Sequence, residues 1–359
     1  MRIAFLFSFM CSRSKLVLLA TSTFLAFTGA FSSPARAQEL SNETVVSFPP
    51  ETVRLEFIRL SRLRELPSYA ALREKYTSER LASLQASLAD LGIRDADIDQ
   101  IVLAWQPIGE ATGANGEPAP VSPLDLDQDG GVIQNRWPTF FGGMAAGRFD
   151  WKAIAKNAAE KGMPSTVVDE SEAFCVRGES PACVVSLQDS LGAFGSQKSL
   201  KDILDARRGQ GSNLISSPRM VKLLQDIPRD ASIWGVAIGP GVADWFQGWD
   251  LTQGTAQIDW KAVFKPVKTL QYSVSAGDKI HLTVKLDCTT SEAAATLTQA
   301  FRGMQILQGW IWKRQNPNRP NPVKAMEINS SSDQVVITLA SAEDALRDSS
   351  PFSAQVDPK

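Results

Sequence analysis

Histidine is almost absent: the chain of 359 residues contains one, His281. That scarcity excludes zinc sites built on several histidines, the di-histidine metalloprotease motif and a facial triad with two histidines. A Ser-His-Asp arrangement would have to use His281 as its base. Long apolar runs are scarce too. Beyond the N-terminal segment no stretch is long and apolar enough to span a bilayer. No basic cluster stands out, so nucleic acid and anionic membrane surfaces are poor candidate partners. What remains is a chain that is 43% hydrophobic and 21% charged, long enough for about two domains.

Residues 1–37 read as a secretory signal peptide. Arg2, Arg13 and Lys15 precede an apolar run from Leu16 to Phe31, and Ala35 and Ala37 stand where an A-x-A cleavage site requires small residues. The alternative is a membrane anchor, for which the run is short. Cys11 lies upstream of the run and does not look like a lipid-modified cysteine. Cleavage after Ala37 would leave a mature chain starting at Gln38, periplasmic or secreted. Four of the 37 basic residues would leave with the signal and none of the 39 acidic ones, so the net charge falls from −2 to −6.

Export changes the reading of the three remaining cysteines. Cys175 and Cys183 flank a seven-residue connection between two strand-like stretches. Folded as a hairpin about Glu179, they face each other, and Phe174 faces Val184. In an oxidising compartment this predicts a disulfide rather than two buried thiols.

Residues 38–50 end in Pro49-Pro50 and read as a loose leader. Val53, Leu55 and Phe57 alternate with polar residues as in a half-buried strand. A helix opened by Pro67-Ser68 and ended by Gly92 follows, then strands over 98–105 and 139–149, separated by a Gly-, Pro- and Asp-rich loop at 107–136. Asp150 caps a helix through Lys161. Strands near 165–176 and 182–188 and helices at 200–207 and after Ser217 complete the first half, 51–228. The second half, 229–347, carries a strand at 233–238, a helix at 259–265, and strands at 270–276 and 280–288. The last two align their apolar faces only across an odd turn of about three residues, 277–279. Thr289 and Glu292 form a capping box for a helix to Leu307, and a hairpin over 323–339 precedes a tail at 348–359.

The order strand, helix, strand, strand, helix, strand in both halves predicts an α+β protein of two ferredoxin-like (βαββαβ) halves, with antiparallel sheets and helices on one face. One repeat resists that scheme. Phe-Asp-Trp-Lys-Ala-Ile at 149–154 matches Ile-Asp-Trp-Lys-Ala-Val at 258–263, yet the two fall on different helices of their halves.

The stretches Asp95–Ala104 (DADIDQIVLA), Ala145–Asp150 (AAGRFD), Ser216–Leu224 (SSPRMVKLL) and Thr290–Leu297 (TSEAAATL) resemble a class of uncharacterised exported bacterial proteins, over roughly residues 50–345. The resemblance implies this architecture and an envelope location. It carries no catalytic residues.

The sharpest local motif is Asp125-Leu-Asp127-Gln-Asp129-Gly130-Gly131-Val132. Acids at positions 1, 3 and 5, glycine at 6 and an apolar residue at 8 match a calcium loop, with Asp125, Asp127, Asp129 and Gly131 as ligand positions. Position 12 departs from it, being Arg136 instead of a bidentate glutamate, and no helix pair flanks the loop. The alternative is a solvated acidic loop. Calcium is the one cofactor the sequence suggests. His281 falls on the polar face of its strand, and Cys288 on the apolar face as an inert thiol. Trp234, Trp245, Trp249 and Trp260, with the pair Trp310 and Trp312, are either core or stacking platforms. Trp245 and Trp249 are the candidates for binding. Paired carboxylates could serve a hydrolase, but no pair is singled out. The expectation is therefore an exported, non-enzymatic protein acting in binding or assembly at the cell envelope, with another envelope protein or a glycan as partner. A calcium-stabilised binding module and a carboxylate-based hydrolase are the alternatives.

Overall fold

The fold is taken from a computed structural model, which describes residue 40 and residues 43–70, 88–106, 139–175, 183–246, 259–277, 279–315, 317–318 and 321–341. The signal peptide at 1–37, the loop at 107–136 and the tail at 348–359 lie outside the described residues.

In the first half of the chain, strand β1 (Arg54–Ile58) leads to the short helix α1 (Leu60–Leu63), then to β2 (Ile98–Gln106), β3 (Thr139–Gly147) and helix α2 (Trp151–Glu160). Four short strands follow, β4 (Ser165–Val168), β5 (Ser171–Cys175), β6 (Cys183–Gln188) and β7 (Leu191–Gly195), and then helices α3 (Gln197–Arg207) and α4 (Pro218–Gln225). The remainder is β8 (Ile233–Ile238), α5 (Pro240–Phe246), α6 (Trp260–Phe264), β9 (Val267–Ala276), β10 (Ile280–Cys288), the long helix α7 (Ser291–Gln315), β11 (Met326–Ser331) and β12 (Gln334–Ser341).

All twelve strands join one open sheet in the order β11-β12-β10-β9-β8-β1-β2-β3-β7-β6-β5-β4, with every neighbouring pair antiparallel. The α+β class and the antiparallel pairing match the sequence expectation. Two ferredoxin-like halves are not what the sheet shows. The split βαβ order sets the third strand between the first and the second, with the first parallel to the second, whereas here β1 pairs directly with β2 and antiparallel to it. The segment read as one strand near 165–176 is a hairpin, β4–β5, turning at Asp169 and Glu170 with φ of 46° and 64°. That two-residue turn takes a left-handed conformation without the usual glycine. By contrast, Ala276 pairs with Ile280 across three residues, and Leu270, Tyr272 and Val274 stand opposite Leu286, Val284 and Leu282, as the alternation predicts.

Helices cover both faces of the first half rather than one. On the face that carries Leu55 and Phe57, residues Leu200, Ile203 and Leu204 of α3 and Met220 and Leu223 of α4 pack with Val102, Ala104, Met144, Val185 and Trp234. On the opposite face, Ile154 and Ala158 of α2 join Leu91, Ile93, Phe174 and Val184. Strands β9, β10 and β12 are covered on that opposite face, where α5, α6 and α7 bury Leu270, Tyr272, Leu282, Val284, Leu286 and Val335. The stretch expected as a loose leader is part of the core. Leu40 and Phe48 are buried in the α3–α4 cluster, residues 43–47 are helical, and Arg207 bonds to Glu43 and to Ser47 Oγ (3.2 Å).

The Asp-Trp-Lys-Ala repeat has a local explanation. Asp150 accepts from the Ala153 amide at 3.0 Å, and Asp259 accepts from the Ala262 amide at 3.1 Å. Both copies are the same helix start, an aspartate N-cap bonded to the third residue of the helix.

Strand β1 holds the two parts of the sheet together and is buried along its whole length. Its Arg54 and Glu56, expected on a polar face, are 2% and 0% exposed. Arg54 Nε donates to Glu56 Oε1 at 2.9 Å, and Nη2 donates to the same oxygen. The guanidinium lies 4.3 Å from the centre of the Trp105 ring. Tyr272 lies beside the pair. Burial, followed by the charge of Glu56, holds its phenol well above the ordinary value, with Arg54 opposing. The ring is accommodated because residue 235, its partner on β8, is glycine: a Cβ there would come within 2.2 Å of it.

A buried pair with one member removed leaves an uncompensated charge, at a cost of about 3–5 kcal/mol. Glu56→Ala should therefore lower stability by that amount in urea denaturation, while the double replacement Arg54→Met with Glu56→Leu loses less than Glu56→Ala alone. Equal or greater loss in the double variant would refute this account of the pair.

Candidate binding surface

Helix α7 starts where Thr290 accepts from the Ala293 amide at 3.1 Å, one residue later than the predicted capping box. Glu292 in its first turn and Lys313 and Arg314 in its last complement the helix dipole. It runs to Gln315, two turns past the predicted end. One face is core: Ala294, Leu297, Phe301 and Trp312 are buried, and Phe301 packs on Phe264 of α6. Side chains fix the helix against the outer strand of the sheet. Arg302 donates to the Ile328 carbonyl through Nε (3.1 Å) and Nη2 (2.8 Å), and Gln305 Nε2 donates to the carbonyls of Met326 (2.7 Å) and Val323 (2.9 Å). Met326 and Ile328 are two residues apart on β11, so both carbonyls point off the same edge. The helix thus closes that edge to further strand pairing.

The opposite side of α7 is also apolar. Ile306, Leu307 and Trp310 are 74%, 43% and 61% exposed. With Gly303 and Arg314 they follow the helical spacing of a single stripe, turned away from the core face. Arg314 lies over the Trp310 ring, 5.8 Å from its centre. Scattered exposed apolar residues are normal, whereas these three are neighbours on one face and make it a candidate contact surface. The sequence that carries them is one-sided in charge. Residues 293–326 include Arg302, Lys313, Arg314, Arg319 and Lys324 and no acid, in a chain whose net charge is −2. Such a surface can bind an apolar, acidic partner.

The residues singled out in the sequence are dispersed. Asp125, Asp127, Asp129 and Gly131 lie outside the described residues, as does Trp249. Among the described residues, no three His, Cys, Asp or Glu side chains are grouped to hold a metal ion. Trp245 is 5% exposed, its ring stacked on Tyr272 with centres 4.9 Å apart, so it is core and offers no platform. Trp234 is likewise buried, stacked on Phe57. His281 is exposed on the outward face of β10. Cys288 is a buried free thiol, and burial, then Asp287, pushes its pKa up. Cys175 and Cys183 form a disulfide that ties β5 to β6, with Phe174 opposite Val184 as expected.

No protein family and no curated protein matches the sequence. Among solved structures, crystal forms IV and I of TP0453 from Treponema pallidum match with TM-scores of 0.39 and 0.42 and identities of 12% and 9%. Each alignment covers 86% of this chain, and they cover 94% and 98% of those chains.

The disulfide spans eight residues of sequence, for which loop-closure entropy gives about 2.5 kcal/mol. Cys175→Ser with Cys183→Ser should lower unfolding free energy by that amount in urea, with the slope of the transition as a check on the unfolded state. A second measurement concerns Cys288. In the chain starting at Gln38, an aromatic disulfide reagent should find no reactive thiol in the native protein and one after unfolding.

Proposed function

We propose that the protein is an exported, non-enzymatic component of the bacterial cell envelope that acts in binding or assembly, and that the outer face of α7 is its contact surface. The observation that carries this reading is the exposed stripe Ile306, Leu307 and Trp310 within an acid-free stretch of chain. The N-terminal segment with its Ala35 and Ala37 cleavage pattern supports export, and the Cys175–Cys183 bond fits an oxidising compartment. Burying three large apolar side chains supplies roughly 1.5–3 kcal/mol each, ample for a hot spot once the costs of association are met. An envelope protein with an acidic, apolar segment is the partner this surface fits.

Two measurements test the reading. Mass spectrometry of the exported chain should find Gln38 as the first residue. A photo-cross-linking amino acid at position 307 should trap a discrete partner in cells, and the same group at Val167, exposed at the far end of the sheet, should not. Adding Ile306→Asp should abolish the adduct while the melting temperature stays within about 2 °C, as expected for an exposed site. Identical adducts at both positions, or none at position 307, would overturn the assignment of α7.

A further inference from the structure

We propose that Arg59, Gln100 and Ser232 form a binding site for a small carboxylate that carries a hydroxyl or an amine on the adjacent carbon. The site lies on the sheet and does not depend on the contact surface of α7.

Strand register sets the three residues side by side. Ile58 pairs with Ile101 on β2 and with Ile233 on β8, so the next residue, Arg59, falls between Gln100 and Ser232. Its amide donates to the Ser232 carbonyl at 2.8 Å. Directly opposed residues share a face and bring their Cβ atoms to about 5 Å. That face is the one packed by α3 and α4, because Phe57, Val102 and Trp234, each two residues further along its strand, belong to that cluster. The Arg59 guanidinium lies 5.8 Å from the centre of the Phe57 ring, which is itself stacked on Trp234. Beyond Ser232 the row continues to Ser275 on β9, half-buried, and to its partner His281 on β10, exposed. The row thus opens to solvent on that side.

Each of the three residues holds one buried polar atom without a hydrogen-bond partner: Arg59 Nε, Gln100 Oε1 and Ser232 Oγ. The three atoms differ in kind. Nε–H donates, Oε1 accepts, and a hydroxyl does either. Buried polar atoms are normally satisfied, so three in one row ask for a group that joins them. Arg59 adds a charge to that demand. It is half-buried, and among the described residues no carboxylate bonds to it. Burial, then the nearby Arg62, hold its guanidinium below the ordinary basicity, with Asp230 opposing.

Ordered water can satisfy Gln100 and Ser232 but brings no charge to the guanidinium. A carboxylate brings that charge and accepts from both Arg59 Nε–H and the Ser232 hydroxyl. Gln100, on the other side of Arg59, then needs a donor within one carbon of the carboxylate. Hydroxy acids and amino acids meet both demands, whereas a plain carboxylate meets only the first.

The test is an NMR titration of the purified full chain with glycolate, glycine, acetate and inorganic phosphate, read on the arginine Nε–H resonances. The Arg59 signal is identified by its loss in Arg59→Lys. Glycolate or glycine should shift it saturably at millimolar concentration, and acetate should require severalfold more. Ser232→Ala should weaken the binding by about tenfold, as expected for one hydrogen bond to a charged group. Gln100→Leu should remove the advantage over acetate while acetate binding persists. Each variant is first shown to keep the wild-type amide spectrum outside the row, and wild type alone decides the first outcome. No saturable shift with any of the four would mean ordered water only and overturn the proposal. Phosphate preferred to every carboxylate, affinity unchanged in Ser232→Ala, or a preference that survives Gln100→Leu would overturn it equally. Ile306→Asp should leave the titration unchanged, so loss of the α7 contact and loss of this site are read separately.

Discussion

The pairing of β1 on both of its edges is the constraint on which the remaining structure depends. Its five residues bond to β2 on one side and to β8 on the other. Take it away and the sheet divides into six-stranded and five-stranded parts with no hydrogen-bonded link between their first strands. Its register is fixed from both faces. Leu55 and Phe57 enter the cluster with Trp234 and Val236, and Arg54 and Glu56 enter the opposite interior beside Trp105 and Tyr272. A slip of one residue would drive both charges into the aromatic cluster, which has no partner for them. The ion pair therefore acts less as a source of stability than as a condition on alignment.

Helix α7 fills a second structural role through two chemically different sides. Its inner side and its Arg302 and Gln305 close the edge of β11, where backbone groups would otherwise remain open to another strand. Its outer side repeats apolar residues where solvent would favour polar ones. The opposite end of the sheet is managed differently, by making the last strand, β4, only four residues long. The sheet is thus finished at one end by a helix and at the other by brevity.

Much of this was legible in the sequence, and the reasons differ by element. The β9–β10 hairpin was readable because two alternating runs can share a face only with an odd turn. The disulfide followed from symmetric flanks and the expectation of export. The starts of α2 and α6 were readable from Asp150 and Asp259, although their common origin as aspartate caps became clear only with the hydrogen bonds in view. The β4–β5 turn was hidden because Asp169 and Glu170 adopt positive φ without glycine. Arg54 and Glu56 were hidden because period-two alternation assigns polar residues to solvent, and nothing local announces that a strand will be covered on both faces. The α7 stripe was hidden because its helix is apolar on two sides, so Ile306, Leu307 and Trp310 merge with the core positions. Two signals were available: the helical wheel sets these three opposite Leu297 and Phe301, and the stretch 293–326 has no acid.

The placement of β1 beside β8 has a consequence for how the chain is made. Ile58 pairs with Ile101, 43 residues on, but its other neighbour, Ile233, lies 175 residues on. Contacts at such separation close late, because the chain entropy of the intervening loop is lost before they form. A polypeptide threaded through a membrane N-terminus first would emerge with β1 joined on one flank and bare on the other until most of the molecule had crossed. The central strand of the finished sheet is then an open edge until the residues of β8 have followed it.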